Sequence, residues 1–210
     1  MYEFKFDAAV RKFITERNEE IRNNNLGIDL IFFGDSITRR LNITRYYPSD
    51  KRILNSGIGG DNLNNMKKRI DEDVISLKPS EVVFLGGIND IRNWYLEGAK
   101  DEGVFINYIV DSYIEIITKL SGTNIKVYPC FLLYTCEEEF NYHYLNSVIK
   151  KINCKLEEFF ESNNYHALKY NIFLSNEYDE LIRNFANDGL HPDEVGYWKI
   201  SQYLKQKKII

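Results

Sequence analysis

Cysteine is scarce in this chain of 210 residues: Cys130, Cys136 and Cys154 are odd in number, and no two stand in CxxC spacing. Neither a disulfide framework nor a zinc site finds support in that pattern, and the thiols read as buried or inert. An excess of basic residues is missing too. Lys and Arg number 27 against 31 Asp and Glu, a formal net charge of -4, so there is no broad positive field to hold a polyanion. Nucleic acid is therefore not expected as a partner. No uninterrupted apolar run approaches the roughly 20 residues of a membrane span. Glu3, Lys5 and Asp7 break the N-terminus before an apolar leader core can form. The expectation is a soluble cytoplasmic protein with no membrane partner. No internal repeat, low-complexity tract or linker divides the chain, and with 44% hydrophobic residues its length suits one well-buried domain over residues 1–210. Aromatics, by contrast, are plentiful: 15 Tyr and 13 Phe could serve a core, a binding cleft or an interface.

The stretch around which the rest is arranged is Asp29-Leu30-Ile31-Phe32-Phe33-Gly34-Asp35-Ser36, an apolar run closed by glycine with a serine just beyond it. Such a run reads as a buried strand. Before it, residues 5 to 25 carry Phe6, Val10, Phe13, Ile14 and Ile21 at close to helical spacing. After it, Arg52 to Asn55 reads as a brief second strand opening into Ser56-Gly57-Ile58-Gly59-Gly60-Asp61. Asp61 is placed to cap a helix with Leu63, Met66, Ile70, Val74 and Leu77 on one face. Glu81 to Leu85 is a third strand ending in Gly86-Gly87-Ile88-Asn89-Asp90. A helix follows over 101–120, a fourth strand over Ile125 to Leu133, and a long helix whose stripe runs from Phe140 to Phe159. A fifth strand is expected within Ala167 to Leu174, and a last helix from about Pro192 to Tyr203. Strands alternating with helices imply parallel βαβ units and a three-layer α/β/α sandwich. The loops after strands one, two and three then leave the same sheet edge, where Ser36, Gly60 and Asn89 should meet.

Asp188-Gly189-Leu190-His191-Pro192 supplies what a nucleophilic serine needs. An aspartate three residues before a histidine can reach the near ring nitrogen and leave the other facing a hydroxyl. The glycine-rich turns add backbone and amide N–H donors, at Gly60 and Asn89, of the kind that stabilise an oxyanion. Each piece also has a plainer reading: Gly-Asp-Ser is ordinary turn and cap chemistry, His191 can merely open a helix with Pro192, and glycines permit tight turns. Gly57-Ile58-Gly59 is half of a dinucleotide fingerprint, but Asn62 occupies the third glycine's place, so no nucleotide site is expected. Only one histidine stands near Asp188, Asp193 and Glu194 and no His-Glu-x-x-His spacing exists, so no metal is expected and no cofactor is implied. His143 and His166 read as structural.

Gly34-Asp35-Ser36, Gly57-Ile58-Gly59-Gly60-Asp61, Gly87-Ile88-Asn89-Asp90 and Asp188-Gly189-Leu190-His191-Pro192, in that order, resemble the four sequence blocks of the SGNH, or GDSL-type, hydrolases. The second block is most similar to the compact platelet-activating factor acetylhydrolase-like branch. The resemblance implies a flavodoxin-like sandwich with five parallel strands. It also implies Ser36 as nucleophile, His191 as base with Asp188 as its partner, and an oxyanion hole of the Ser36 N–H, the Gly60 N–H and the Asn89 side chain. Asp35 is expected to hold its loop by accepting backbone N–H bonds. Trp94, Tyr95 and Tyr134 are candidates to wall a substrate cleft, with core packing as the equal alternative. No long insertion is present to build a lid, which leans towards short acyl esters, acetyl above all, on a small molecule or carbohydrate. An acyltransferase using a sugar hydroxyl as acceptor, or a binding protein without turnover, stays open beside the esterase.

Overall fold

The computed structural model describes residues 7–47 and 50–210, so Phe6 on the first helix, the N-terminal charges before Asp7, and Pro48 with Ser49 lie outside the described residues. Helix α1, Ala8–Asn23, opens on Asp7, whose side chain accepts from the Val10 amide. It buries Ile14, Asn18 and Ile21, one stripe at spacings of four and three, while Phe13 falls off that stripe and is 63% exposed rather than in the core. Strand β1, Leu30–Gly34, is buried along its whole length, as expected of a strand covered on both faces. Two short helices, α2 at Ser36–Arg39 and α3 at Ile43–Tyr46, lead into β2, Ile53–Gly57. Helix α4, Leu63–Asp73, continues through a 3-10 turn at Ile75–Leu77 to β3, Glu81–Leu85. Then come α5, Ile88–Leu96, α6, Glu102–Ser121, and β4, Lys126–Pro129. Helix α7, Tyr142–Ser162, short α8, Asn171–Leu174, a 3-10 turn at Arg183–Phe185, and α9, Glu194–Gln206, complete the described chain.

The sheet is parallel in the order β2-β1-β3-β4, with Gly34 level with Gly57 and Leu85. Successive β residues face opposite layers. Phe33 and Phe84 meet α4 and α6, with the Arg69 guanidinium over the Phe33 ring and Tyr113 4.7 Å from the Phe84 ring centre. Phe32 and Val83 face the other way and share a small apolar hollow with Tyr197 and Ile200 of α9. Gly57 is required by the close approach of α2: a Cβ there would stand 2.2 Å from the Arg39 amide nitrogen.

Among the described residues four strands pair, not five. The segment expected as the fifth strand makes a single parallel bridge, Leu168 with Cys130, and turns at Tyr170 into α8. The fourth strand likewise stops at Pro129 instead of reaching Leu133. The reason is that side-chain amides take over the backbone beyond it. Asn153 accepts from the Leu132 amide and donates to its carbonyl, Asn146 does the same for Thr135, and Asn171 donates to the Leu132 carbonyl and accepts from the Tyr134 amide. The Leu132 and Thr135 backbone groups are thereby paired with side chains, and the ladder to the fifth segment ends after the Phe131 and Leu168 amides. Two caps also differ from expectation. Asn62, not Asp61, caps α4 by accepting from the Asn65 amide, and α9 begins at Glu194 behind Asp193, which accepts from the Val195 and Gly196 amides.

Candidate active site

Ser36 stands at the first position of α2, directly beyond the carboxyl end of β1. Asp35 caps that helix through Oδ1, which accepts from the Ile37 amide at 2.9 Å. Its full burial pushes the Asp35 carboxyl up to about 7, a direction the Ile37 amide only partly opposes. The Ser36 hydroxyl lies 2.7 Å from His191 Nε2, and His191 Nδ1 lies 2.7 Å from Asp188 Oδ2. Asp188 Oδ1 also accepts from the His191 and Leu190 amides at 2.8 and 3.1 Å. Burial tends to raise the Asp188 carboxyl, but the hydrogen bonds from the His191 amide, the His191 ring and the Leu190 amide outweigh it and hold the group well below the ordinary carboxylate range. Burial shifts the other partner downwards: the His191 imidazole is held below its usual value, with Asp188 working against the shift. The ring is then neutral at pH 7, with one nitrogen facing a hydroxyl and the other held by a carboxylate, an arrangement able to accept and return a proton.

The loop carrying Asp188 and His191 is docked from two sides. The Cys136 amide and the Thr135 hydroxyl donate to the Gly189 carbonyl at 2.7 and 2.9 Å. Tyr197 on α9 donates to the Ile37 carbonyl at 2.6 Å, tying the helix after the histidine to the helix that begins at the serine. The turn after β2 is held from α5: Asn89 Nδ2 donates to the Asp61 carbonyl at 2.8 Å, and Asp90 accepts from the Leu63 amide. One Asn89 N–H is thereby fixed against the Gly60–Asp61 turn while the amide remains at the cavity. Gly60 has φ of +73°, the left-handed region in which a side chain is strained. Beneath the turn lies a buried ionic cluster. Arg69 bonds Asp61 and Asp73 at 2.7 and 2.8 Å and the carbonyls of Gly34 and Ser56 at 2.9 Å, so the ends of β1 and β2 share one guanidinium. This pairing replaces the capping role expected of Asp61.

Ser36, Gly60, Asn89 and His191 line one cavity of about 500 Å³. Trp94, Tyr95 and Tyr134 do not line it. Trp94 stacks on Phe105 with ring centres 4.4 Å apart and donates to the Lys100 carbonyl, Tyr95 packs on Phe140 and Tyr144, and Tyr134 lies beside Cys154 and Asn171. Helical phase explains the first two: Trp94 and Tyr95 are five and six residues beyond Asn89 on α5 and point to α6 and α7. Of the other histidines, His143 is exposed beside Glu180, and His166 lines a hollow of about 460 Å³ at the outer edge of β4 that shares no lining residue with the Ser36 cavity. Among the described residues no cluster of three or more His, Cys, Asp or Glu is placed to hold a metal ion, and no helix is long and apolar enough to cross a membrane. Cavity residues that sequence reasoning missed are Arg39, Arg40 and Arg92. The Arg39-Arg40 pair two residues after Ile37 and the spacing of three from Asn89 to Arg92, one helical face, were the available signals.

The model of the GDSL-like lipase/acylhydrolase family matches residues 32–199, a span that contains Ser36, Gly60, Asn89, Asp188 and His191. A stretch of 57 residues is 39% identical to an acetylxylan esterase of Geobacillus stearothermophilus and covers 27% of this chain. That stretch spans 26% of the relative, about a quarter of its length. A Bacteroides fragilis protein provisionally described as an acylhydrolase superposes with a TM-score of 0.79 at 23% identity, over 97% of both chains. A Streptococcus pneumonia protein provisionally described as a platelet activating factor does so with a TM-score of 0.73 at 19% identity, over 93% of this chain and 91% of its own. At such identities the two solved structures speak for the fold, and the family model for the lineage. The chain belongs to the GDSL-like lipase/acylhydrolase family.

Proposed function

We propose that the protein is a serine esterase that removes short acyl groups, acetyl foremost, from a small-molecule or carbohydrate ester through an acyl-enzyme. The observation that carries this reading is the unbroken chain of hydrogen bonds from Ser36 through His191 to Asp188 at the wall of a cavity that Gly60 and Asn89 share. Ser36 Oγ attacks the ester carbonyl while His191 Nε2 takes the hydroxyl proton. Asp188 stays ionised and supports the imidazolium that forms. The oxyanion is met by the Ser36 and Gly60 amides and the Asn89 side chain. Collapse breaks the ester C–O bond, and the leaving alcohol takes the proton from His191. Water then attacks the acyl-enzyme with His191 again as base, releasing the acid and restoring Ser36.

Short acyl chains are favoured because Ala8 is the one aliphatic side chain among the described residues that line the cavity, which leaves little apolar surface for a long chain. The acetylxylan esterase relative supports acetyl as the group removed. The test is hydrolysis of nitrophenyl acetate, butyrate and octanoate by the wild type and Ser36→Ala. Acetate should be cleaved best and the variant should be inactive on all three. A preference for octanoate would contradict the short-acyl reading, and undiminished turnover by Ser36→Ala would end the serine mechanism.

A further inference from the structure

The cavity at Ser36 is walled by three guanidinium groups. Arg39 and Arg40 follow from α2 and its end, and Arg92 stands one turn beyond Asn89 on α5. Asp7 is the one carboxylate residue among the described residues that line the same cavity. The lining is thus rich in guanidinium donors, and the carboxylates that pair with Arg40 and Arg92 are not among the residues that line it. Each guanidinium is oriented by a carboxylate: Arg39 Nη1 by Asp7 at 2.6 Å, Arg40 Nη1 by Asp188 at 3.0 Å, and Arg92 Nη2 by Glu137 at 2.8 Å. A guanidinium presents five N–H donors in a planar fork, so for Arg39 and Arg40 one such contact aims the group without consuming its capacity. Arg39 also lies across the turn that carries Gly60, with Nη1 3.4 Å from where a Cβ on Gly59 would stand. The side chains of Arg39 and Arg40 are 45% and 53% exposed, open to a ligand entering the cavity.

A tetrahedral oxyanion is one charge, and the Ser36 and Gly60 amides with Asn89 already face it. Three further cations on two sides of the serine suit a second, permanent anion. A short acyl group carries none, so the anion belongs to the alcohol part of the ester. We propose that the substrate is a short-chain ester of a carboxylate-bearing alcohol, such as an acylated sugar acid or hydroxy acid, whose carboxylate is held by Arg39, Arg40 and Arg92. This rests on the esterase reading above and adds the chemical class of the carrier. The guanidiniums bind the carboxylate alike before and during reaction, so their effect falls on KM more than on kcat.

The test compares 3-acetoxybenzoate with 3-acetoxybenzamide, which share the acetyl group and shape and differ in charge. The wild type should favour the carboxylate by about tenfold in kcat/KM at low salt, through KM, as one charge-assisted contact supplies. The preference should shrink with added salt, since two of the guanidiniums are half exposed. Within Arg39→Gln and Arg40→Gln the ratio should fall several-fold, and in the double variant towards one; a ratio taken within each variant cancels any loss of folded enzyme or of turnover common to both esters. Calorimetric binding of both compounds to Ser36→Ala adds a readout that needs no turnover, and the benzoate should bind tighter. Ser36-dependent hydrolysis with a wild-type ratio at or below one, or equal losses on both esters in the arginine variants, overturns the carboxylate inference and leaves the esterase reading standing. Carboxylate-selective binding without Ser36-dependent hydrolysis of either ester does the reverse. Equal binding without hydrolysis overturns both.

Discussion

In the proposed mechanism His191 is the residue on which the chemistry turns, and its surroundings set a pH dependence whose sign can be worked out. Burial holds the imidazole below its usual value of about 6.5, so the neutral, proton-accepting form persists into mildly acid solution. The acid limb of kcat/KM for nitrophenyl acetate should therefore lie below 6.5. Arg40, on Asp188, lowers the ring's pKa further and Asp188 raises it. Arg40→Gln should then move the limb to higher pH, and Asp188→Asn to lower pH with a loss of kcat; pH–rate profiles that shift the same way in both variants would contradict the assignment. In the proposed mechanism Asn89 bears two loads at once. Asn89→Ala should lower kcat by roughly 10² to 10³ with little change in KM, because its amide faces charge that develops only during reaction. It also loses the bond to the Asp61 carbonyl, so a stability loss of about 1 kcal/mol should accompany it in urea melts. Asn89→Asp should be no better, since it sets a carboxylate against the oxyanion. A folded Asn89→Ala enzyme with wild-type kcat would remove Asn89 from the chemistry.

At the scale of elements, the helix after β4 completes what a fifth strand otherwise would. Asn146 and Asn153 are seven residues apart on one face of α7, and with Asn171 they serve the backbone of residues 132, 134 and 135. Asn153→Leu keeps the branched shape but leaves the buried Leu132 amide without its acceptor, while the Leu132 carbonyl retains Asn171. The expected cost is about 1–3 kcal/mol, read as a lower melting temperature with an unchanged active-site pH profile. This is also where the sequence was least legible. Strands β1 and β3 announce themselves because each is a continuous apolar run, and the stripe of α4 is buried as its spacing implies. The stretch from Ala167 to Leu174 has a similar apolar content, but hydrophobicity carries no record of which backbone groups are already satisfied. Asp61 misled for a related reason: a carboxylate before a helix reads as a cap, and only the fold brings Arg69, eight residues on, to claim it. The Ser36, Gly60 and Asn89 positions were legible because parallel topology sends their loops to one edge, and His191 because Asp188 stands three residues before it. Where Trp94, Tyr95 and Tyr134 would point was not, since that depends on the phase of α5 and the course of the chain after β4.

The whole molecule ties its site to its core through Arg69, which joins α4 to the ends of β1 and β2 while pairing with the fully buried Asp61 and Asp73. Arg69→Met should cost roughly 3–5 kcal/mol, because it strands a buried carboxylate rather than removing a pair. Burial already raises the Asp61 carboxyl and Arg69 opposes that shift. Without Arg69 the folded-state value rises further, so the penalty should be largest at pH 8 and shrink as the pH falls towards the unfolded carboxylate value. Denaturation of both proteins at pH 8 and pH 5 measures this, and a penalty that grows on acidification would contradict it. In the proposed mechanism Ser36 is the nucleophile, placed where three parallel strands end and backed by the buried Arg69 cluster. Titration with a fluorophosphonate, followed by peptide mass mapping and the rate of nitrophenyl acetate hydrolysis, tests that centre most directly. One equivalent should attach to Ser36 and activity should fall in proportion; a protein that remains fully active after labelling, or that carries its label on another residue while activity is lost, would contradict Ser36 as the nucleophile.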